Sequence, residues 1–560
     1  MAKVGIMLKK LWGKKEDLDA AGPPLLPTEI LRLIFELFLD SNPPHESVQN
    51  FRQTCKLFNQ IALKYIYSDV TVTLNEGGSN TGSISNLIEC NEDILAHISR
   101  LRVTGFPPPP DTGQLVRFIP QKPQASYGTE SCETSRSDLK ALLEILRPNQ
   151  LTSFAIVGRQ IPTRIDKIPI SLLWGKHSNL RQLCIPITLL FQHGVNTAEA
   201  LGSFRIPSFQ SLILTNIQYP RHIADVWALL KISSNTLKSL ALKSPDNSEL
   251  ERFIMHRVYL GLTVALPSTE ISLSKLQDLH IEGISHLDRF FEDCAPNLVD
   301  FSKLRMLRLD RCQRPNAFLL SNLSIYRMPK LKSLQLFQTG SNVALAGFLP
   351  AIGPVGLETF VIALDSWDGR TNWMQIKEHL SGSLKRMWIQ NSSSYDGPHR
   401  VLDMSNHVGP YNDCFFPHGW PKLEELAIDT NYLDGSAIVL PQTVRVCRVI
   451  GAGAQGTLRR QYPSHKNTVR EICFRSEKVS NPLNVEVSVI GTLESSDTRR
   501  AIRHPFFYDV SYEQSKSGGA VFSPKSVSIG EVMKKVPDSH ILWYERTERP
   551  WSDRDGSFWY

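Results

Sequence analysis

The sequence predicts an α/β protein: a short unit of three helices at the N-terminus, then a long repeat array carried on a parallel sheet. Three observations predict it. Residues 26–70 hold three short runs of apolar residues at helical spacing. From about residue 95 the pattern apolar–x–x–apolar–x–apolar keeps returning, most clearly at steps of 26–28 residues. Residues 498–560 abandon that pattern and carry aromatic clusters instead.

The helical unit opens at Leu26-Pro27-Thr28-Glu29-Ile30-Leu31. Thr28 stands where an N-cap belongs, and Glu29 favours the positive end of the helix dipole. Ile30, Leu31, Ile34, Phe35 and Phe38 then make one side of a short helix apolar. Asn42-Pro43-Pro44 ends it. Val48, Phe51, Cys55 and Phe58 mark a second helix, and Ile61, Ala62, Tyr65 and Ile66 a third. Three such helices bury too little surface to stand alone.

Three blocks agree in order and spacing: Leu26-Pro27-x-Glu29-Ile30-Leu31-x-x-Ile34-Phe35, Arg52-x-x-Cys55-x-x-Phe58, and Tyr65-Ile66-Tyr67-Ser68-Asp69-Val70. Together they resemble an F-box of the kind seen in fungal F-box proteins. Gln49-Asn50 depart from the family's middle block, which often has a Trp or a longer apolar run. The resemblance implies docking on the Skp adaptor of a cullin-RING (SCF-type) ubiquitin ligase. The adaptor-binding residues it implies are Leu26, Pro27, Ile30, Leu31 and Ile34. An unrelated three-helix cap is the alternative.

The repeat array occupies residues 71–497. Its clearest copy, Leu304-x-x-Leu307-x-Leu309-x-x-Cys312, is close to the leucine-rich repeat core. Strong copies open at Leu180, Phe209, Leu237, Leu276, Leu331, Leu357, Leu384 and Leu423. Weaker ones are Ile98/Leu101/Val103, Leu151/Phe154/Ile156, Val444/Cys447/Val449 and Val469/Ile472/Phe474. From Leu276 to Leu384 the steps are 28, 27, 26 and 27, whereas two steps of 39, from Leu237 and from Leu384, imply loop insertions. Residues 107–137, opened by four prolines, read as a flexible insertion. No unit of this size buries its apolar side alone, so neighbours are expected to stack into an irregular solenoid with a concave parallel sheet. The Asn or Cys that closes such a turn fits only at Cys312 and Asn431. Separate α/β domains are the alternative. A short F-box followed by such repeats resembles the substrate-receptor layout of the F-box family, which implies ubiquitin-dependent degradation of a bound protein.

Bulk properties narrow the function. A net charge of +7 spread over 560 residues makes no case for nucleic acid. Nine cysteines with no Cys-x-x-Cys pair suit a reducing compartment, cytoplasmic or nuclear. No apolar run reaches the roughly 18–20 residues a membrane span needs. Residues 1–25 read as a flexible basic arm.

Chemistry-bearing motifs are scarce. Gly451-Ala452-Gly453-Ala454-Gln455-Gly456 matches the dinucleotide fingerprint G-x-G-x-x-G, with Glu471 downstream. Pro463 would end the following helix early, so a Gly-rich turn between repeats reads better. No metalloprotease, zinc, nucleophile-elbow or phosphate-loop pattern is present. The sequence therefore predicts a non-catalytic protein with no cofactor and no metal. A protein-interaction scaffold outside any ligase is the rival reading, and a dinucleotide-binding enzyme a remote one.

For substrate, the residue after the first apolar position of each copy is basic in seven of eleven cases, including Arg305, Lys332 and Lys385. Mid-strand Arg308 and Trp388 add interface-prone side chains. These five residues are the expected substrate surface, a cationic track suited to an acidic or phosphorylated protein segment. Ordinary solvated charge on an exposed sheet is the bland alternative. Leu307 is expected in the core and Arg308 exposed. Residues 498–560 are expected to cap the apolar end of the array, or to serve as a tail.

Overall fold

The computed structural model describes residues 30, 33, 35, 56–73, 87, 92–104, 139–157, 170–187, 209–218, 220–245, 272–284, 287–291, 298–312, 315–323, 325–337, 345–364, 369–391, 419–429, 443–450, 488–493, 505–514, 520–527 and 539. The chain divides into two compact units. One comprises Met1–Asp69 with Asn91–Ile98, the other Val70–Cys90 with Ser99–Tyr560.

In the first unit Ile30, Leu33 and Phe35 are helical. Phe35 is fully buried, while Ile30 and Leu33 are exposed. A longer helix, Lys56–Tyr67, buries Phe58, Ala62 and Leu63 at helical spacing. It packs on the short helix Glu92–Leu95, which the sequence reading had placed in the repeat array. Leu26, Pro27, Leu31 and Ile34 lie outside the described residues.

The second unit is organised by one sheet of sixteen strands in sequential order. They are β1 Asp69–Thr73, β2 Arg100–Thr104, β3 Ser153–Val157, β4 Gln182–Pro186, β5 Ser211–Thr215, β6 Ser239–Lys243, β7 Asp278–Glu282 and β8 Met306–Asp310. Then follow β9 Ser333–Phe337, β10 Thr359–Leu364, β11 Arg386–Asn391, β12 Glu425–Asp429, β13 Val446–Ile450, β14 Ser488–Leu493, β15 Pro505–Gln514 and β16 Ala520–Val527. From β2 to β14 each strand pairs parallel with the next. Parallel neighbours need a return crossover. Helices Ile170–Lys176, Pro220–Ser233, Asn316–Asn322, Leu345–Ile352 and Gly369–Leu380 lie in five of these returns. The class is α/β.

The periodic leucines explain the core. Leu279/Ile281, Leu307/Leu309, Leu334/Leu336 and Phe360/Ile362 alternate along their strands and are fully buried. The opening residue of each unit, such as Leu276, Leu304, Leu331 or Leu357, is buried just before its strand. Two consecutive returns join through aromatic contacts, with Phe318 stacked on Phe291 at 5.2 Å and edge-on to Phe301 at 5.9 Å.

Strand ends are tight. The residue after β5, β7 and β8 is left-handed: Asn216 (φ 61°), Gly283 (φ 69°) and Arg311 (φ 52°). At Gly283 a Cβ would fall 2.1 Å from the Ser244 carbonyl oxygen, so only glycine fits. Cys312 is buried there, its Sγ 3.5 Å from the carbonyls of Ile281 and Asp310, and burial pushes its thiol up to about 12. Ser244 plays a similar part, donating to Ile217 O at 2.8 Å. Asn431, the other predicted turn residue, lies outside the described residues.

Two features differ from the sequence reading. β13 pairs directly with β14, a strand the sequence reading did not name, Val446 against Val489; the expected copy Val469/Ile472/Phe474 lies outside the described residues. The sheet then ends in an antiparallel ribbon, β14–β15–β16. The insertions after Leu237 and Leu384, and residues 107–137, also fall outside the described residues. Among those residues no helix is long and apolar enough to cross a membrane.

Candidate functional site

The face of the sheet opposite the alternating leucines carries the candidate site. Register fixes its central row: Ala241, His280, Arg308, Gln335, Val361, Trp388, Ala427 and Arg448 stand side by side, one per strand. A second row lies two residues on: Lys243, Glu282, Asp310 and Phe337.

On β6–β8 these rows meet as a buried ionic network. Lys243 Nζ lies 3.0 Å from Glu282 Oε2, and Arg308 donates to Asp310 Oδ2 at 2.9 Å. Arg311, turned back by its left-handed backbone, also donates to Glu282. His280 Nε2 stands 3.8 Å from Glu282. Burial holds the His280 imidazole well below its ordinary value, and Arg308, Lys243 and Arg311 push the same way, so it is neutral. Burial raises the Glu282 carboxyl, but Lys243 and Arg311 outweigh it and hold it low. Asp310 is pushed upward, chiefly by burial and further by the charge of Glu282.

Ligand-type atoms of His280, Glu282 and Asp310 lie within 4.8 Å of one another, close enough to share a cation. Three protein cations already engage the two carboxylates, however. A divalent ion would add charge to a site where cations outnumber anions, and would have to displace Lys or Arg. The donor set suits an internal ion-pair network better than a metal centre.

On β10–β12 the central row is apolar, flanked by Gln335 of β9 and Arg448 of β13. Phe337, Val361, Trp388 and Ala427 form one buried cluster. Arg308 lies over the Phe337 ring and Arg448 over the Trp388 ring, each at 4.8 Å from the centroid. Beside the cluster, Arg386 Nε contacts Glu425 Oε1 at 3.3 Å. Glu425 Oε2 accepts from the hydroxyl of Ser539 at 3.1 Å, and both residues are buried.

The five expected substrate residues divide between two places. Arg305, Lys332 and Lys385 precede β8, β9 and β11 and form a rim. Arg305 and Lys332 are exposed and Lys385 is half-buried. Lys332 and Lys385 both pair with Glu358, at 3.3 and 3.0 Å, and the Lys385 hydrogen bond leads in lowering that carboxyl. Arg308 and Trp388 lie within the strands and are largely covered, with the Arg308 side chain only 14% exposed. Arg308 was expected to be exposed; Asp310 and Phe337 draw it in instead. The five do not form one continuous open track.

Sequence reasoning missed Lys243, Glu282, Asp310, Glu425 and Ser539. The repeated ending His-Ile-Glu282 and Arg-Leu-Asp310 was a visible signal for the ionic row. Nothing local marks Ser539. The residues of the glycine motif, Gly451 to Gly456, lie outside the described residues.

Fold and site together define a class: an α/β protein whose parallel sheet grows one strand per sequence repeat and keeps a structured face opposite its leucine core. No family model matches the chain, and no curated protein matches it.

Proposed function

We propose that the chain is the substrate-recognition subunit of an SCF-type (cullin-RING) E3 ubiquitin ligase. In this reading the F-box at 26–70 binds the Skp adaptor, and a leucine-rich-repeat solenoid presents a protein substrate for ubiquitin-dependent degradation. The observation that carries it is the joining of two things in one chain: the three-block motif at 26–70, and strands at every repeat copy from Ile98 to Val444. Exposed Ile30 and Leu33 beside buried Phe35 support an apolar docking side on the first unit. The receptor itself needs no catalytic residue, because ubiquitin transfer belongs to other subunits of such a ligase.

Substrate would be read from the rim formed by Arg305, Lys332 and Lys385 towards Arg308 and Trp388. An acidic or phosphorylated segment suits these cations, in competition with Glu358. Such binding weakens as salt rises, since exposed charges are screened beyond about 8 Å at physiological ionic strength.

The test is capture of the adaptor and cullin from cells by the tagged full-length chain. Recovery of both supports the receptor; recovery of neither, with other partners retained, moves the reading to an interaction scaffold. Proximity labelling with an Arg305/Arg308/Lys385→Glu variant then tests the surface, and an unchanged partner set would reject it.

A further inference from the structure

We infer that the second unit carries a docking surface for an anionic lipid bilayer. A band of exposed cations follows the strand starts of β6–β9, and the apolar pair Ile325 and Tyr326 stands beside it, set to lie in the headgroup layer without crossing the membrane. The inference is independent of the ligase reading.

The cations come from the repeat itself. Backbone hydrogen bonds place Lys238, Gln277, Arg305 and Lys332 in one row, each N–H donating to the carbonyl before it at 2.7, 2.6 and 2.8 Å. Two residues upstream, Lys275, Lys303 and Lys330 occupy one shared turn, in which the N–H of the opening leucine donates to the carbonyl three residues back. Lys238, Lys275, Lys303, Arg305, Lys330 and Lys332 are all exposed. Strands lie about 4.8 Å apart, so the band gathers these charges within roughly 15 Å along the sheet. Among the described residues only Lys332 of the six meets a carboxylate, Glu358 at 3.3 Å. Acids nearby are few. Asp278 and Asp300 are half-buried, and Asp300 accepts from Ser302. Between Asp310 and Glu358 the sequence holds no Asp or Glu.

The apolar part sits just ahead of Lys330. Ile325 is 41% exposed and Tyr326 92%, in the turn between helix Asn316–Asn322 and β9. Met328 is fully buried below them, and Arg327 donates to Asn322 Oδ1 at 3.0 Å, so the turn is anchored while both side chains face outward. Leu320, exposed on that helix, lies across Gly347 of the next return: a Cβ there would fall 2.8 Å from Leu320 Cδ2. The apolar surface therefore spans two consecutive returns.

Like charges this close repel one another, and an anionic surface relieves that repulsion. A purely acidic segment would satisfy the cations and leave Leu320 and Ile325 in water. A bilayer interface offers anions and an apolar medium at one level, where tyrosine is favoured. Neither a basic patch nor a small apolar turn anchors a protein alone; together they make the two signals that membrane anchoring needs.

The experiment is co-sedimentation of the full-length chain with phosphatidylcholine vesicles, made with and without phosphatidylserine. Binding is expected only with phosphatidylserine, and it should weaken as salt rises. Lys303→Ala with Lys330→Ala should weaken it about 25-fold, at roughly 1 kcal/mol per cation. Ile325→Ser with Tyr326→Ser should weaken it several-fold and leave its salt dependence unchanged. Both variants change exposed side chains, so their thermal melts should match the wild type. No sedimentation of the wild type, or equal sedimentation with phosphatidylcholine alone, would overturn the proposal. So would wild-type binding by both variants, which would place the contact elsewhere in the chain. Retention on poly-glutamate beads without binding to vesicles would assign the surface to an acidic protein instead. Failure to capture the adaptor would reject the receptor reading and leave this result untouched.

Discussion

The two halves of one sheet face solve the same problem differently. On β6–β8 the central row is filled by His280 and Arg308, backed by Lys243, Glu282 and Asp310; on β10–β12 it is filled by Val361, Trp388 and Ala427, between Gln335 of β9 and Arg448 of β13. Both halves are buried and both rest on the same leucine core. The ionic half must recover the cost of desolvating its charges through good geometry, so its net stabilisation is small although each member is indispensable. The apolar half gains directly from burial. Stability and specificity are thus separated along the face: removing one ion should hurt, removing a matched pair should not, and removing the indole should hurt most.

Trp388→Ala is the largest expected effect, about 3–5 kcal/mol in chemical unfolding, as for other large aromatic truncations. Leu307→Ala, in the core shared by both halves, should cost about 2–5 kcal/mol. Arg308→Ala should cost about 1.5–3 kcal/mol, since it strips a charged hydrogen bond from buried Asp310. An exposed Arg308, as the sequence reading has it, would cost far less. The double change Arg308→Met with Asp310→Leu should be near neutral, and a double-mutant cycle measures the coupling. An Arg308→Ala cost below the error of measurement would break the comparison.

Acid should also act unequally on the ionic half and its surroundings. His280 and His177 both have folded pKa values below the ordinary 6.5, His177 at about 4, each with burial as the first cause. The unfolded chain therefore takes up protons first as pH falls. Their stabilisation is complete above pH 6.5 and is lost progressively below it, towards pH 4 for His177. Glu282, held low, adds a further loss as pH falls below its ordinary 4.5, while raised Asp310 has the opposite sign and favours acid. Unfolding free energy should fall between pH 6.5 and 5, and His280→Gln should flatten that slope. The smallest effect belongs to the rim: Lys332→Ala should cost roughly 0.2–1 kcal/mol, because its pair with Glu358 is largely solvated.

Much of this architecture was legible in the sequence. The phase of Leu304/Leu307/Leu309 and its copies located strands from β2 to β13, because each unit repeats the same burial requirement. β14 was missed because Ser488–Leu493 opens without the repeat's apolar spacing and carries Gly491 mid-strand. The site was less legible. Lys243, Glu282 and Asp310 are ordinary charges in sequence, and only the register brings them into one row across long, unequal steps. The rim and the central row were merged because the strands begin one residue later than the pattern alone suggests, at Met306 rather than Arg305. Ser539 was invisible because its partner lies on a distant repeat.

The measurement that bears most directly on the central claim is a calorimetric titration of the purified full-length chain with purified Skp adaptor. It is run beside an Ile30→Asp/Leu31→Asp variant whose thermal melt is also recorded. The account predicts saturable binding by the wild type, no binding by the variant, and an unchanged melt of the sheet unit, because the proposal places both positions against the adaptor, where new charges would be unpaired. No binding by the wild type at micromolar protein, or equal binding by both, would contradict it.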